Sequence, residues 1–186
     1  ALCDIRARNT DGYLRLPIDR AFVMPGFGPV VTGTVTSGEV RKEAHVRLLP
    51  GGKEARVRGI QMHNRPADSV RAGSRCALNL SGIGIESLAR GMVAADPRLT
   101  RMARTLDVWL TVAPHAPASP KSQRRVRFTA GTAEVFAQMY GDAIRARKLG
   151  DCRCRYRVGL LDAPRLPDGG DMVNVDSEFD APVHGH

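Results

Sequence analysis

The side chains able to do chemistry in this chain are mostly cations. Five histidines, His45, His63, His115, His184 and His186, are scattered, and no Ser/His/Asp or Cys/His nucleophile motif is visible. Cys3, Cys76, Cys152 and Cys154 show no CxxC spacing, and the last two form only a CxC. Free thiols in a reducing cytoplasm are therefore expected, not a zinc site. His184-Gly185-His186 could hold a metal weakly, but it reads as a frayed terminus. Gly28 to Gly33, GPVVTG, has the glycine spacing of a phosphate-binding loop. Thr34-Val35 then stands where lysine and Ser/Thr would be needed, and no helix pattern follows, so a nucleotide site is rejected there. No catalytic constellation remains.

Three charged groupings are left. Asp19-Arg20 lies inside an otherwise apolar strand pattern, where alternation puts the two side chains on opposite faces. They are either edge charges that oppose aggregation or pocket residues awaiting an anion. Arg124, Arg125 and Arg127 crowd one stretch, and Arg153, Arg155 and Arg157 another. A period of two places Arg125 and Arg127 on one face, and the trio on one face of its own strand. Each stripe is either a solvated surface or a contact for phosphates.

The bulk charge favours the second reading for one of them. The 186 residues carry a net charge of +9. Residues 1–99 hold 15 basic and 9 acidic groups, and residues 100–165 hold 13 and 5. Residues 166–186 hold 5 acidic groups and no basic ones. A basic body attracts polyanions, of which nucleic acid is the commonest. No run of 18 apolar residues exists, so no membrane-spanning helix is expected. The first residues have no apolar signal core and no initiator methionine, so the sequence reads as a piece that begins mid-protein.

The elements that must position these groups are strands. Leu14 to Val40 alternates apolar and polar residues, broken at Pro25-Gly26-Phe27-Gly28 and at Thr36-Ser37-Gly38-Glu39. Adjacent antiparallel strands are expected at about 14–23 and 29–36. Gly33, inside the second, implies a bulge, a bend or a close backbone approach. Further strands are expected at 46–49, 55–63, 75–80 and 92–95, with 64–68 a loop. Asp96-Pro97 marks a boundary. Beyond it, strands are expected at 106–112, 125–129, 133–139, 153–161 and 172–175, with the proline-rich 114–120 a loop. At most one helical turn is expected, near 85–90. The fold class is all-β: two antiparallel β-barrels. The expected organisation is a linker at 1–13, one barrel at 14–98, a second at 99–176 and an acidic tail at 177–186.

Leu16-Pro17-Ile18-Asp19-Arg20-Ala21-Phe22, Gly26-Phe27-Gly28 and Val30-Val31-Thr32-Gly33-Thr34-Val35 resemble the second domain of the translational GTPases. Arg15 to Arg20 most resembles the selenocysteine-specific elongation factors within that family. Residues 55–61, 72–82 and 90–93 continue the resemblance, and 128–135 and 170–173 are similar to third-domain segments. The basic residue usual after the closing strand is replaced by Asn174-Val175-Asp176-Ser177-Glu178.

The resemblance implies barrels of the domain 2 and domain 3 types. It implies an aminoacyl pocket for selenocysteine formed by Asp19, Arg20 and Arg75, and a third domain that grips the acceptor–T stem of selenocysteyl-tRNA. It implies a cytoplasmic monomer that works on the ribosome. GTP and magnesium would belong to a GTPase domain that these residues lack, since no GxxxxGK[ST] or NKxD occurs. Contact with an mRNA hairpin would need C-terminal modules also lacking here. By itself the chain is expected not to be an enzyme. The alternative is a barrel fragment of another translational GTPase that docks on the ribosome or on a protein.

Overall fold

The structure is a computed structural model that describes residues 10–100, 105–111, 125–148 and 151–160. Positions 107, 109–111, 141–148, 151–157 and 159–160 are described by their backbone alone. The described residues form two compact units. One runs through residue 100 and takes in Ala130–Ala133; the other holds the remainder.

The first unit contains β1 (Arg15–Met24), β2 (Gly28–Thr34), β3 (Glu39–Arg41), β4 (His45–Leu49), β5 (Lys53–Met62), β6 (Arg65–Ala67), β7 (Ser69–Arg71), β8 (Arg75–Ser81) and β9 (Val93–Ala95). Six of them close a ring in the order β4-β9-β1-β2-β8-β5, because β4 also pairs with β5. All the pairings in this ring are antiparallel. Closure removes the free edges of the sheet. β6 extends from β5, and β3 pairs with β7 as a separate ribbon.

Alternation decides which side chains fill the ring. In β8 Cys76, Leu78 and Leu80 are buried while Arg75 is exposed and Ala77, Asn79 and Ser81 are half-buried. In β5 Ala55 and Val57 are buried between exposed Glu54, Arg56 and Arg58. Leu16, Ile18, Val31, Leu48, Val57 and Leu78 meet inside with no exposed surface. Each such side chain contributes about 1.5–3 kcal/mol relative to an exposed one.

The β1–β2 turn follows from its residues. Phe27 N donates to Met24 O at 3.0 Å, and Gly26 has φ 78°. Proline then glycine at the two central positions is what such a turn selects.

Three expectations need correction in this unit. Residues 64–68 are not simply a loop: Arg65–Ala67 is the short strand β6, paired with the end of β5. β3 and β7, unforeseen, have three residues each, too few for a period to show. Asp19 and Arg20 do not alternate faces. Ile18 pairs with Gly33 and Arg20 with Thr32, so the register skips at Asp19. That extra residue is a β-bulge, which re-aims a side chain. The single turn near residue 85 is a 3-10 turn at Ile85–Ser87.

The second unit contains β10 (Thr105–Thr111), β11 (Arg125–Ala130), β12 (Ala133–Lys148) and β13 (Asp151–Leu160), in the order β10-β13-β12-β11. β12 runs nine residues beyond the expected 139, and its pairing with β13 shifts between Tyr140 and Ile144. Among its described side chains, Ala137, Met139 and Val158 are buried. The expected strand at 172–175, the loop at 114–120, the linker at residues 1–9, the acidic tail, Arg124 and the three residues 184–186 lie outside the described residues.

Candidate anion and nucleic-acid sites

Asp19 is placed by the bulge in β1, and Arg75 is the first residue of β8. The strand between them is β2, so sheet order alone sets them two strands apart. Their side chains meet across β2. Arg75 NH1 lies 2.6 Å from Asp19 Oδ2, and Arg75 NH2 donates to Asp19 Oδ1 at 3.2 Å. A fork-to-carboxylate pair of this kind fixes orientation as well as charge. Thr32 Oγ1 also donates to Asp19 Oδ1, at 2.5 Å. The Asp19 side chain is 22% exposed and that of Arg75 59%.

Arg20 is exposed and directly opposite Thr32 in the register. Opposed residues share a face, so Arg20, Thr32, Asp19 and Arg75 occupy one patch of the outer barrel wall. A close approach of two strands builds it. Strand β1 comes so near β2 that a Cβ on Gly33 would collide with Pro17 O and lie 2.6 Å from Leu16 Cδ2. Below the patch, Cys76 points inward, and burial pushes its thiol up to about 12. That thiol stays neutral and takes no part in an anion site.

The arginine stripes fare differently. Arg125 and Arg127 are both exposed, with Val126 and Phe128 half-buried between and beside them. Arg127 Nε pairs with Glu134 Oε1 at 3.0 Å, and the Arg125 guanidinium lies over the Phe136 ring, 4.1 Å from its centroid. Arg153, Arg155 and Arg157 occupy alternate register positions of β13, opposite Thr111, Trp109 and Asp107 of β10.

Thr32, Phe136 and Tyr140 were not foreseen from the sequence. The alternation in 133–139 was a usable signal for Phe136, since it shares a parity with Glu134. Nothing in the sequence marked Thr32, because its partner is delivered by the bulge. Among the described residues, no group of three His, Cys, Asp or Glu side chains is arranged to hold a metal. No helix among them is long and apolar enough to cross a membrane.

Comparison with known proteins gives this geometry a family context. The family described as Elongation factor Tu domain 2 matches residues 28–95. The Desulfomicrobium baculatum selenocysteine-specific elongation factor is 36% identical over 152 residues, which is 80% of this chain and 24% of that protein. The Escherichia coli selenocysteine-specific elongation factor is 47% identical over 77 residues, 41% of this chain and 12% of that protein. Among solved structures, translation elongation factor SelB from Methanococcus maripaludis, in its apo form, superposes with a TM-score of 0.70 at 21% identity, over 86% of this chain and 37% of that one. The chain thus spans about a quarter or less of the length of the first two relatives. The β1–β9 barrel has the fold of translational-GTPase domain 2, in a chain similar over 80% of its length to part of a selenocysteine-specific elongation factor.

Proposed function

We propose that this chain is a tRNA-binding part of a selenocysteine-specific elongation factor. The outer patch of Asp19, Arg20 and Arg75 would receive the aminoacyl end of selenocysteyl-tRNA, and the second unit would receive the acceptor–T stem. The second unit would then be the domain 3 barrel, completed by strands outside the described residues. The observation that carries this reading is the Asp19–Arg75 ion pair on the same patch as Arg20.

The chemistry suits a charged ligand. A selenol is much more acidic than a thiol and is an anion at neutral pH, whereas a seryl hydroxyl is neutral. Asp19 holds the Arg75 guanidinium by two of its five N–H donors. That leaves a planar cation set at a defined angle, with Arg20 on the same outer face of the barrel. At an effective dielectric of about 20, one anion contact at about 4 Å is worth roughly 4 kcal/mol before desolvation. Half of that discriminates more than about tenfold.

GTP and magnesium would be handled by residues outside this sequence, and by itself the chain would not be an enzyme. The glycine-spaced segment at 28–33 is no phosphate cradle. It is the strand β2, whose backbone is committed to ladders with both β1 and β8. Delivery would take place on the ribosome, in the cytoplasm, with the chain as a monomer. Recognition of an mRNA hairpin would fall to other modules.

One observation favours the alternative, a docking barrel from another translational GTPase. The β1–β2 hairpin tip exposes Phe22, Val23 and Phe27. Binding of this chain to seryl and selenocysteyl forms of one tRNA separates the two readings. Tighter selenocysteyl binding that Arg20→Ala or Arg75→Ala reduces by about tenfold or more, with seryl binding unchanged, is the expected outcome. Equal affinity for the two forms would leave only the docking barrel.

A further inference from the structure

The outer face of β12 carries side chains that neither the core nor the patch around Asp19 uses. Phe136 and Tyr140 are both 42% exposed. They are four residues apart on one strand, so they face the same side. Gln138 lies between them and is half-buried. Beside them on β11, Arg125 lies over the Phe136 ring and Arg127 pairs with Glu134. The other face of β12 is the apolar one, with Ala137 and Met139 buried.

We propose that this face binds unpaired bases of single-stranded RNA. Aromatic rings and a guanidinium plane are flat surfaces on which any base can stack. The Gln138 amide, between the two rings in the strand, offers a donor and an acceptor to a base edge. A guanidinium laid on a ring keeps its charge, so Arg125 serves both a base and a phosphate. Charge selects RNA over an apolar protein partner. Strands β10 to β13 hold eight arginines and lysines against four acidic residues. Stacking selects single strands over duplex, whose bases already stack on one another. The inference uses residues of the second unit only and stands apart from the aminoacyl patch.

Fluorescence anisotropy tests it, with the full chain, a labelled oligouridylate and an RNA duplex of the same length. The oligouridylate should depend on the two aromatic rings, and the duplex, whose phosphates the arginines of this unit can meet, should not. Phe136→Ala and Tyr140→Ala should each weaken it by about 5- to 100-fold, with the salt dependence unchanged. Phe136→Trp should retain binding, which separates removal of the ring from damage to the fold. Arg127→Ala should instead flatten the salt dependence by about one phosphate. Three results would overturn the proposal. They are no binding of the oligouridylate, duplex binding weakened by the two alanine variants as much as single-strand binding is, or alanine variants within about twofold of the parent. Discrimination between seryl and selenocysteyl tRNA is read in a separate assay and can fail without affecting this one.

Discussion

Thr32 is the small residue on which the charged patch turns. Its hydroxyl and the Arg75 fork converge on the Asp19 carboxylate. Valine is nearly the same shape without the donor. We expect Thr32→Val to lower stability by about 1 kcal/mol in denaturant titration, and Thr32→Ser to restore it. A Thr32→Val protein as stable as the parent would mean that the contact carries no weight. Asp96 does similar work at the base of the barrel. A hydrogen bond from the Arg98 side chain holds its carboxyl below the ordinary value, helped by the Arg98 backbone N–H at 3.0 Å. Asp96 N also donates to Leu14 O at 3.0 Å, and Arg98 lies over Tyr13 at 4.6 Å, so this cluster ties the strand's exit to its entry. A carboxyl depressed in the folded state stabilises above its unfolded value, near about 4, and its contribution fades as pH falls through the folded value. The stability gap between the parent and Asp96→Asn should therefore be open at about pH 6 and close below about pH 3. Denaturation midpoints that differ equally at both pH values would contradict this.

Among the elements, β1 and β2 set the geometry of everything on the wall. They approach closely at Gly33, where the obstacle to a side chain is the Pro17 carbonyl, a backbone atom that cannot swing aside. Gly33→Ala should cost about 1–3 kcal/mol and disturb the Asp19 bulge. Gly59 is the control. It also sits inside a strand beside a register shift, yet a Cβ there would meet only Asn79 Cβ, at 3.9 Å. Gly59→Ala should stay within about 0.5 kcal/mol of the parent. Equal costs in thermal unfolding would show that strand propensity, not the close approach, governs both positions. The alternation that betrays β5 and β8 in the sequence is regular because one face of each packs inside the ring. The ribbon of β3 and β7 gives no such pattern. Each of its strands places one valine in the core, Val40 and Val70.

At the scale of the molecule, charge dominates. A net charge of +9, with five of the acidic groups gathered in the last 21 residues of the sequence, should make tRNA association fall steeply with salt. Removing Arg125 and Arg127 together, or two of Arg153, Arg155 and Arg157, should flatten that dependence by roughly one unit of slope for each phosphate no longer neutralised. If both double variants keep the parent slope, neither stripe touches phosphate. Arg127 already has Glu134 as a partner and Arg125 has Phe136. Either of them would therefore have to exchange one partner for another to meet a phosphate.

The sequence by itself determined the all-β class, the order of most strands, the Pro-Gly turn and the apolar faces. These depend on periodicity and local turn chemistry, which are written residue by residue. It also located Arg125 and Arg127 on one exposed face, because parity within a strand survives folding unless a bulge intervenes. Asp19 is the case where one does intervene. Its parity predicted a face opposite to Arg20, and the bulge reversed that. The encounter of Asp19 with Arg75, 56 residues away, belongs to closure of the ring. Strand order is a long-range property, decided by which apolar faces fill one interior and which backbones can approach. The extra residue in β1 and the missing Cβ at Gly33 express that only once the two strands are side by side.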